Sequence, residues 1–209
     1  MNSPTAVRLY YFHDPMCSWC WGFQPTWQRL LDSLPAHIKV QYVLGGLAGD
    51  TEKPMPIEMQ QRIRAYWMKI QQVIPGTQFN FEFWQKCKPR RSTYPACRAV
   101  IAARLQLEAA AIEMISAIQK AYYLKAENPS DDEVLIDLAT QLGLDKARFV
   151  KDLNSPQTQS ILIDEVSLYR EFGNTGLPSL VLLTHQAHHP IAIDYTTADN
   201  MLIQITALG

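Results

Sequence analysis

One stretch constrains this 209-residue chain more than any other: YYFHDPMCSWCWGFQPTW, residues 10–27, in which Cys17 and Cys20 stand two residues apart. A short run, VRLYYF (7–12), precedes the pair. It sets Val7, Leu9 and Tyr11 against Arg8, Tyr10 and Phe12, which suits a strand buried on both faces. After the pair, Phe23, Trp27, Leu30, Leu31 and Leu34 recur at the spacing of an amphipathic helix that ends before Pro35. Pro25 removes a backbone hydrogen bond inside that helix and predicts a kink. Cys17 is expected in the first helical turn, where unpaired N–H groups favour a thiolate, with Cys20 one turn on along the same face. Three readings of the pair follow: half of a zinc site, a structural disulfide, or an exchange centre.

Other features narrow the choice. Zinc needs a second ligand pair, and Cys87 and Cys97 have nine residues between them rather than the roughly two to four of a zinc knuckle. A structural disulfide suits an oxidising compartment. The N-terminal MNSPTAVRLYYFHDP carries no basic start, apolar stretch or cleavage site of a signal peptide, so a cytoplasmic location is expected. A net charge of −1 gives no electrostatic case for nucleic acid or an acidic membrane surface. No run approaches the ~18 apolar residues of a spanning helix. The sequence leaves the oligomeric state open.

Along the chain, IKVQYVL (38–44) reads as a second strand, with GGLAG (45–49) as its flexible exit. From about residue 55 to 172 helical periodicity dominates. Ile63, Tyr66, Trp67, Ile70, Val73 and Ile74 form one stripe, and Cys97, Val100, Ile101 and Leu105 another. Ser130 to Glu133 has capping-box spacing, Asp145 to Leu153 reads as a short helix, and Ser155-Pro156 opens a longer one. FNFEFW (79–84) is aromatic and extended-looking, with no evident place. The end returns to strands, SLVLL (179–183) and IAIDY (191–195), joined by THQAHHP, before a helix over 197–207. Gly176-Leu177-Pro178 stands directly before the first of these strands, where proline costs no ladder donor.

Together, the strand, Cys17-Ser18-Trp19-Cys20, the helical block of about a hundred residues and the late Leu177-Pro178 resemble the thioredoxin superfamily and, within it, the DsbA-like family. HDPMCSWCWGF, LGLDKARFVKDL and GNTGLPSLVL are similar to the cytoplasmic, protein-disulfide-isomerase-like members. The resemblance implies an α/β thioredoxin fold interrupted by an all-helical insertion. The thioredoxin-like domain would be 1–46 plus 155–209, and the insertion 47–154. It implies a thiol-disulfide oxidoreductase in which Cys17 attacks and Cys20 resolves. Ser18, Trp19, Gly176, Leu177 and a cis Pro178 would contact substrate, the Leu177 backbone pairing with a peptide as an added strand.

The partners implied are protein or peptide disulfides and thiols, with glutathione possible as a redox partner and no bound cofactor or metal. DsbA-type oxidases carry Pro-His between the cysteines. Ser18-Trp19 lacks that histidine donor, so reduction or isomerisation is expected rather than oxidation. Two alternatives share the fold. One is a glutathione-dependent enzyme like the kappa glutathione transferases and hydroxychromene-carboxylate isomerases. The other is a non-enzymatic redox-sensing or client-binding module. Among the remaining candidates, Cys97 reads as a buried core thiol, and Cys87 lies beside Lys86 and Lys88, whose charges would lower its pKa. Trp19 and Trp21 read either as a rim for clients or as packed rings, and His13 either perturbs the thiolate or caps the strand.

Overall fold

The computed structural model describes residues 7–185 and 187–209. Residues 1–6, which open the stretch read as lacking a leader, and Gln186, in the expected hairpin turn, lie outside the described residues. In chain order the elements are β1 (Arg8–His13), α1 (Ser18–Ser33), β2 (Lys39–Leu44), α2 (Ile57–Val73), α3 (Phe83–Lys86), α4 (Tyr94–Gln106) and α5 (Ala110–Leu124). There follow α6 (Asp132–Gln141), α7 (Lys146–Leu153), α8 (Pro156–Glu171), β3 (Ser179–Leu183), β4 (His188–Ile191) and α9 (Asp199–Leu208). The sheet order is β2-β1-β3-β4, with β1 parallel to β2 and antiparallel to β3, and β3 antiparallel to β4. This is a thioredoxin fold interrupted by a helical insertion, as the resemblance implied.

Alternation along β1 feeds two cores. Leu9 and Tyr11 join Leu180 and Leu182 beneath Phe23, Trp27 and Leu30 of α1 and Met201 and Ile205 of α9. Tyr10 and Phe12 point the other way, with Val43 and Val181, under Leu168, Tyr169 and Phe172. A third cluster fills the helical block and takes in Met16 and Leu44, so the insertion is packed directly against the cysteine end of the sheet. Its centre is Trp67, with the rings of Phe79, Phe81, Phe83, Trp84, Tyr122 and Tyr123 at 4.8 to 6.0 Å. FNFEFW therefore has a place after all: it is an aromatic plug running into α3, not a strand.

The structure moves four other expectations. Ser130 does not cap α6, because its hydroxyl donates to the Ser92 carbonyl (2.7 Å) and Asp131 occupies the N-cap. Tyr66 and Val73 are 44% and 45% exposed, so the buried stripe of α2 is narrower than its spacing suggested. The last strand starts at His188, pairing His188 with Leu183 and His189 with Leu182, and ends where the expected IAIDY strand was to begin. Gly45 and Gly46 are packed rather than a loose exit. A Cβ on Gly45 would sit 2.8 Å from the Leu177 side chain, and one on Gly46 (φ +57°) would sit 2.7 Å from Val166 and 2.8 Å from Tyr94.

Candidate functional site

The site is built from the end of β1. There the His13 carbonyl accepts from Gly45 N (2.7 Å), and the next residue, Asp14, is fully buried. Asp14 Oδ1 accepts from Met16 N (2.8 Å), while Oδ2 accepts from Leu47 N (2.8 Å) and the Thr93 hydroxyl (2.7 Å). Its backbone carbonyl accepts from Cys17 N (3.0 Å). One carboxylate thus ties the cysteine turn, the β2–α2 loop and the start of α4 together. Desolvation raises its pKa, against the lowering effect of the hydrogen bonds from Leu47, Thr93 and Met16 and the charge of Arg91.

Cys17 is the N-cap of α1 rather than a first-turn residue: its sulfur accepts from Cys20 N (3.4 Å) and its thiol donates to the Leu177 carbonyl (3.4 Å). The Leu177-Pro178 peptide is cis. The Ser18 hydroxyl accepts from Trp67 Nε1 (2.9 Å), and the Trp19 ring packs on Tyr195 at 5.2 Å. Trp21 donates to the Gln78 carbonyl (3.0 Å) and stacks on Tyr123, so it is held rather than free. Leu177 lies against the pair, while Gly176 stands exposed at the edge, its carbonyl accepting from the Ser179 hydroxyl (2.6 Å).

Cys20 is 1% exposed, and burial first, then its hydrogen bond with Cys17, pushes its thiol well above the ordinary range. His13 is 2% exposed and held neutral, with a pKa lowered to about 3 by burial and then by Arg104. It lies between Tyr11 (5.2 Å) and Tyr42 (5.7 Å) and offers no positive charge to the pair at neutral pH. All four cysteines are free thiols. Cys97 is buried as expected, 3.6 Å from Asp14 Oδ2. Cys87 departs from expectation: burial raises its pKa, and Asp131 and Glu127 add to this more than Lys86 opposes it.

Beside Cys17 opens a cavity of about 260 Å³, walled by apolar side chains that include Met16, Trp19, Met55, Met59, Tyr66 and Leu177. Sequence reasoning missed Asp14, Thr93 and the methionines. Asp-Pro directly before the pair was the one available signal, since a short acceptor there can fold back on its own backbone. Among the described residues no group of three or more potential metal ligands gathers, and no helix is long and apolar enough to cross a membrane.

Comparison with known proteins adds the following. A family model described as Thioredoxin matches residues 10–202. The ClpXP adapter protein SpxH of Halalkalibacterium halodurans is 22% identical over 209 residues, covering 94% of this chain and 68% of that protein. SpxH of Bacillus subtilis is 25% identical over 181 residues, covering 86% of this chain and 59% of its own length. The chain thus spans about three fifths to two thirds of these curated relatives. A crystal structure of a proposed protein disulfide isomerase from Nitrosomonas europaea superposes with a TM-score of 0.82 at 27% identity, covering 97% of this chain and 96% of that one.

These relatives correct the functional expectation. The curated sequence relatives are adapters, not DsbA-like disulfide isomerases, so neither oxidoreductase or isomerase activity nor exchange partnership with protein disulfides, peptide thiols or glutathione carries over. Around the pair, Trp19 packs against Tyr195, His13 is neutral, and the Cys20 thiol is buried and hard to ionise. The cytoplasmic location expected from the sequence is consistent with these relatives. With a family match running from β1 into α9, on a sheet of thioredoxin topology, the chain belongs to the thioredoxin family.

Proposed function

We propose that this chain is a non-enzymatic client-binding module, an adapter that holds an extended segment of another protein beside Cys17 and presents it to a ClpXP-type protease. One observation carries the reading: the apolar, methionine-lined groove that opens between α2 and Leu177 at the cysteine end of the sheet. Unbranched methionines adapt to varied side chains, which suits a surface that holds clients rather than transforming them. Ser18, Trp19, Gly176, Leu177 and Pro178 then serve as the floor and lip of a binding groove, with the Leu177 backbone as an edge for a client strand. Cys17 and Cys20 make the groove responsive to oxidation, because the Cys17 thiol bonds to the Leu177 carbonyl only while it carries a proton. The SpxH relatives support the protease partner.

The test uses the purified chain and a Cys17→Ser/Cys20→Ser variant as bait. Proteins retained by both are then degraded by ClpXP with and without the chain. Faster degradation with wild type and variant alike is the expected result. Insulin disulfide turnover that requires Cys17, with no effect on degradation, would overturn the reading.

A further inference from the structure

The groove beside Cys17 is not electrically neutral. Its lining includes Arg62, Arg90 and Arg91 and no aspartate or glutamate, in a chain that otherwise balances 19 basic against 20 acidic residues. Arg90 is already neutralised, since it pairs with Asp131 (2.7 Å), approaches Glu52 (3.8 Å) and donates to the Ser130 carbonyl (2.5 Å). Arg62 and Arg91 differ: among the described residues neither has an ion-pair or hydrogen-bond partner. Arginines withdrawn from water elsewhere are matched, the buried Arg98 by Asp50 and the half-buried Arg104 by Glu165. Arg91 is also half-buried, so its guanidinium is partly withdrawn from water with no direct ion pair, and only the more distant charge of Asp14 acts on it.

Helix geometry sets these charges against apolar contacts. Met59, Arg62, Ile63 and Tyr66 follow one another at i, i+3, i+4 and i+7 on α2, hence on one face, and that face lines the groove. Arg91 approaches from the segment leading into α4, and its charge is felt by Asp14 and Tyr122 at the groove's base. A guanidinium fork matches a carboxylate in two-pronged fashion. At about 260 Å³ the cavity is smaller than the roughly 300–1,000 Å³ of small-molecule sites, which favours one or two side chains of an extended peptide over an enclosed ligand.

We propose, resting on the client-binding reading, that the groove selects client segments in which an acidic side chain lies beside an apolar one. The carboxylate sits between Arg62 and Arg91, and its apolar neighbour lies on Met59, Ile63 and Tyr66.

The test is fluorescence anisotropy of the full chain with two labelled ten-residue peptides, one alternating Leu and Asp at its centre and one with Asn in place of Asp. The acidic peptide is expected to bind roughly tenfold more tightly or better, with the advantage shrinking at high salt. Arg62→Gln/Arg91→Gln should bring the two peptides within about twofold while the urea unfolding midpoint stays close to that of wild type. That last readout separates lost charge from lost folding, and the exposed Arg62→Gln alone should remove part of the preference. Equal affinity of the two peptides for wild type would overturn the charge selection and leave client binding standing. Binding of neither peptide, while whole clients are still retained, would place the client site elsewhere and refute the proposal. Loss of both peptides and clients would sink the client-binding reading itself. Displacement of the acidic peptide by reduced glutathione at lower concentration than by unlabelled peptide would also overturn it, in favour of a small-molecule site.

Discussion

Replacing Asp14 by Asn probes the joint that holds the site together. An asparagine offers one acceptor oxygen where the aspartate offers two. Its better orientation keeps that oxygen on Leu47 N and the Thr93 hydroxyl and turns its NH₂ toward Met16 N, leaving one buried donor facing another. The opposite orientation strands Leu47 N, while Thr93 retains only its longer contact to the Ala48 carbonyl (3.4 Å). An unpaired buried donor costs about 1–3 kcal/mol. The raised pKa of Asp14 offsets part of this at neutral pH, because the ionised carboxylate bears a desolvation cost that a neutral amide escapes.

The pH dependence follows from the sign of that shift. With its folded-state pKa above the 3.8 of an unperturbed side chain, Asp14 binds its proton more tightly in the folded state. Its contribution is therefore fully present below about pH 3.8 and is lost as pH rises through the folded-state value. Urea unfolding of wild type and Asp14→Asn from about pH 4 to 8 should give a gap that is largest at the acidic end, at most about 1–3 kcal/mol, and that narrows as pH rises. Hydrogen exchange at Met16 should also quicken in the variant. A gap that widens with pH would mean the carboxylate is stabilised as an ion, and no gap at any pH would mean these bonds do not hold the turn.

Three further outcomes are expected. His13, held neutral with a pKa of about 3 against an unperturbed 6.5, makes the fold lose stability as pH falls below about 6.5. That amounts to about 2 kcal/mol between pH 7 and pH 5, an effect that urea unfolding of His13→Gln should lack. Trp67→Ala removes the centre of the aromatic cluster and the donor to Ser18, and should cost about 3–5 kcal/mol by denaturant unfolding. Gly46→Ala meets both a positive φ and contacts of 2.7 and 2.8 Å, whereas Gly143→Ala meets a positive φ in open space. The first should therefore lower the unfolding midpoint well beyond the second.

What could be read from the sequence was whatever local periodicity encodes. β1, α1 and β3 lie where alternation and helical spacing put them, and Asp145 and Ser155 cap their helices by accepting from Arg148 N and Thr158 N. β4 escaped because HHPI has no alternation of its own and owes its strand to pairing with β3. Tyr66 was misread for a related reason. Its spacing matches the core stripe, but that side of α2 borders an open groove, and a helical period cannot say what lies opposite. Asp14 and Thr93 are 79 residues apart in sequence, and nothing local to either announces the other.

The cysteine pair shows where such reading stops for function. Spacing places two thiols at the start of a helix, and the fold carries them there. Exchange chemistry depends further on what surrounds the thiols, beyond the Cys20 N–H that donates to the Cys17 sulfur (3.4 Å). Here the residue between them that reaches outward is a tryptophan engaged by Tyr195, the imidazole four residues upstream is neutral, and the second thiol is sealed in. The holding site proposed for this chain draws on other features. They are a backbone carbonyl at Leu177, adaptable methionines, and two guanidiniums that, among the described residues, make no direct ion pair. On the proposed reading, an extended client is held by the Leu177 backbone and the groove wall rather than by sulfur chemistry, so that holding survives loss of both thiols.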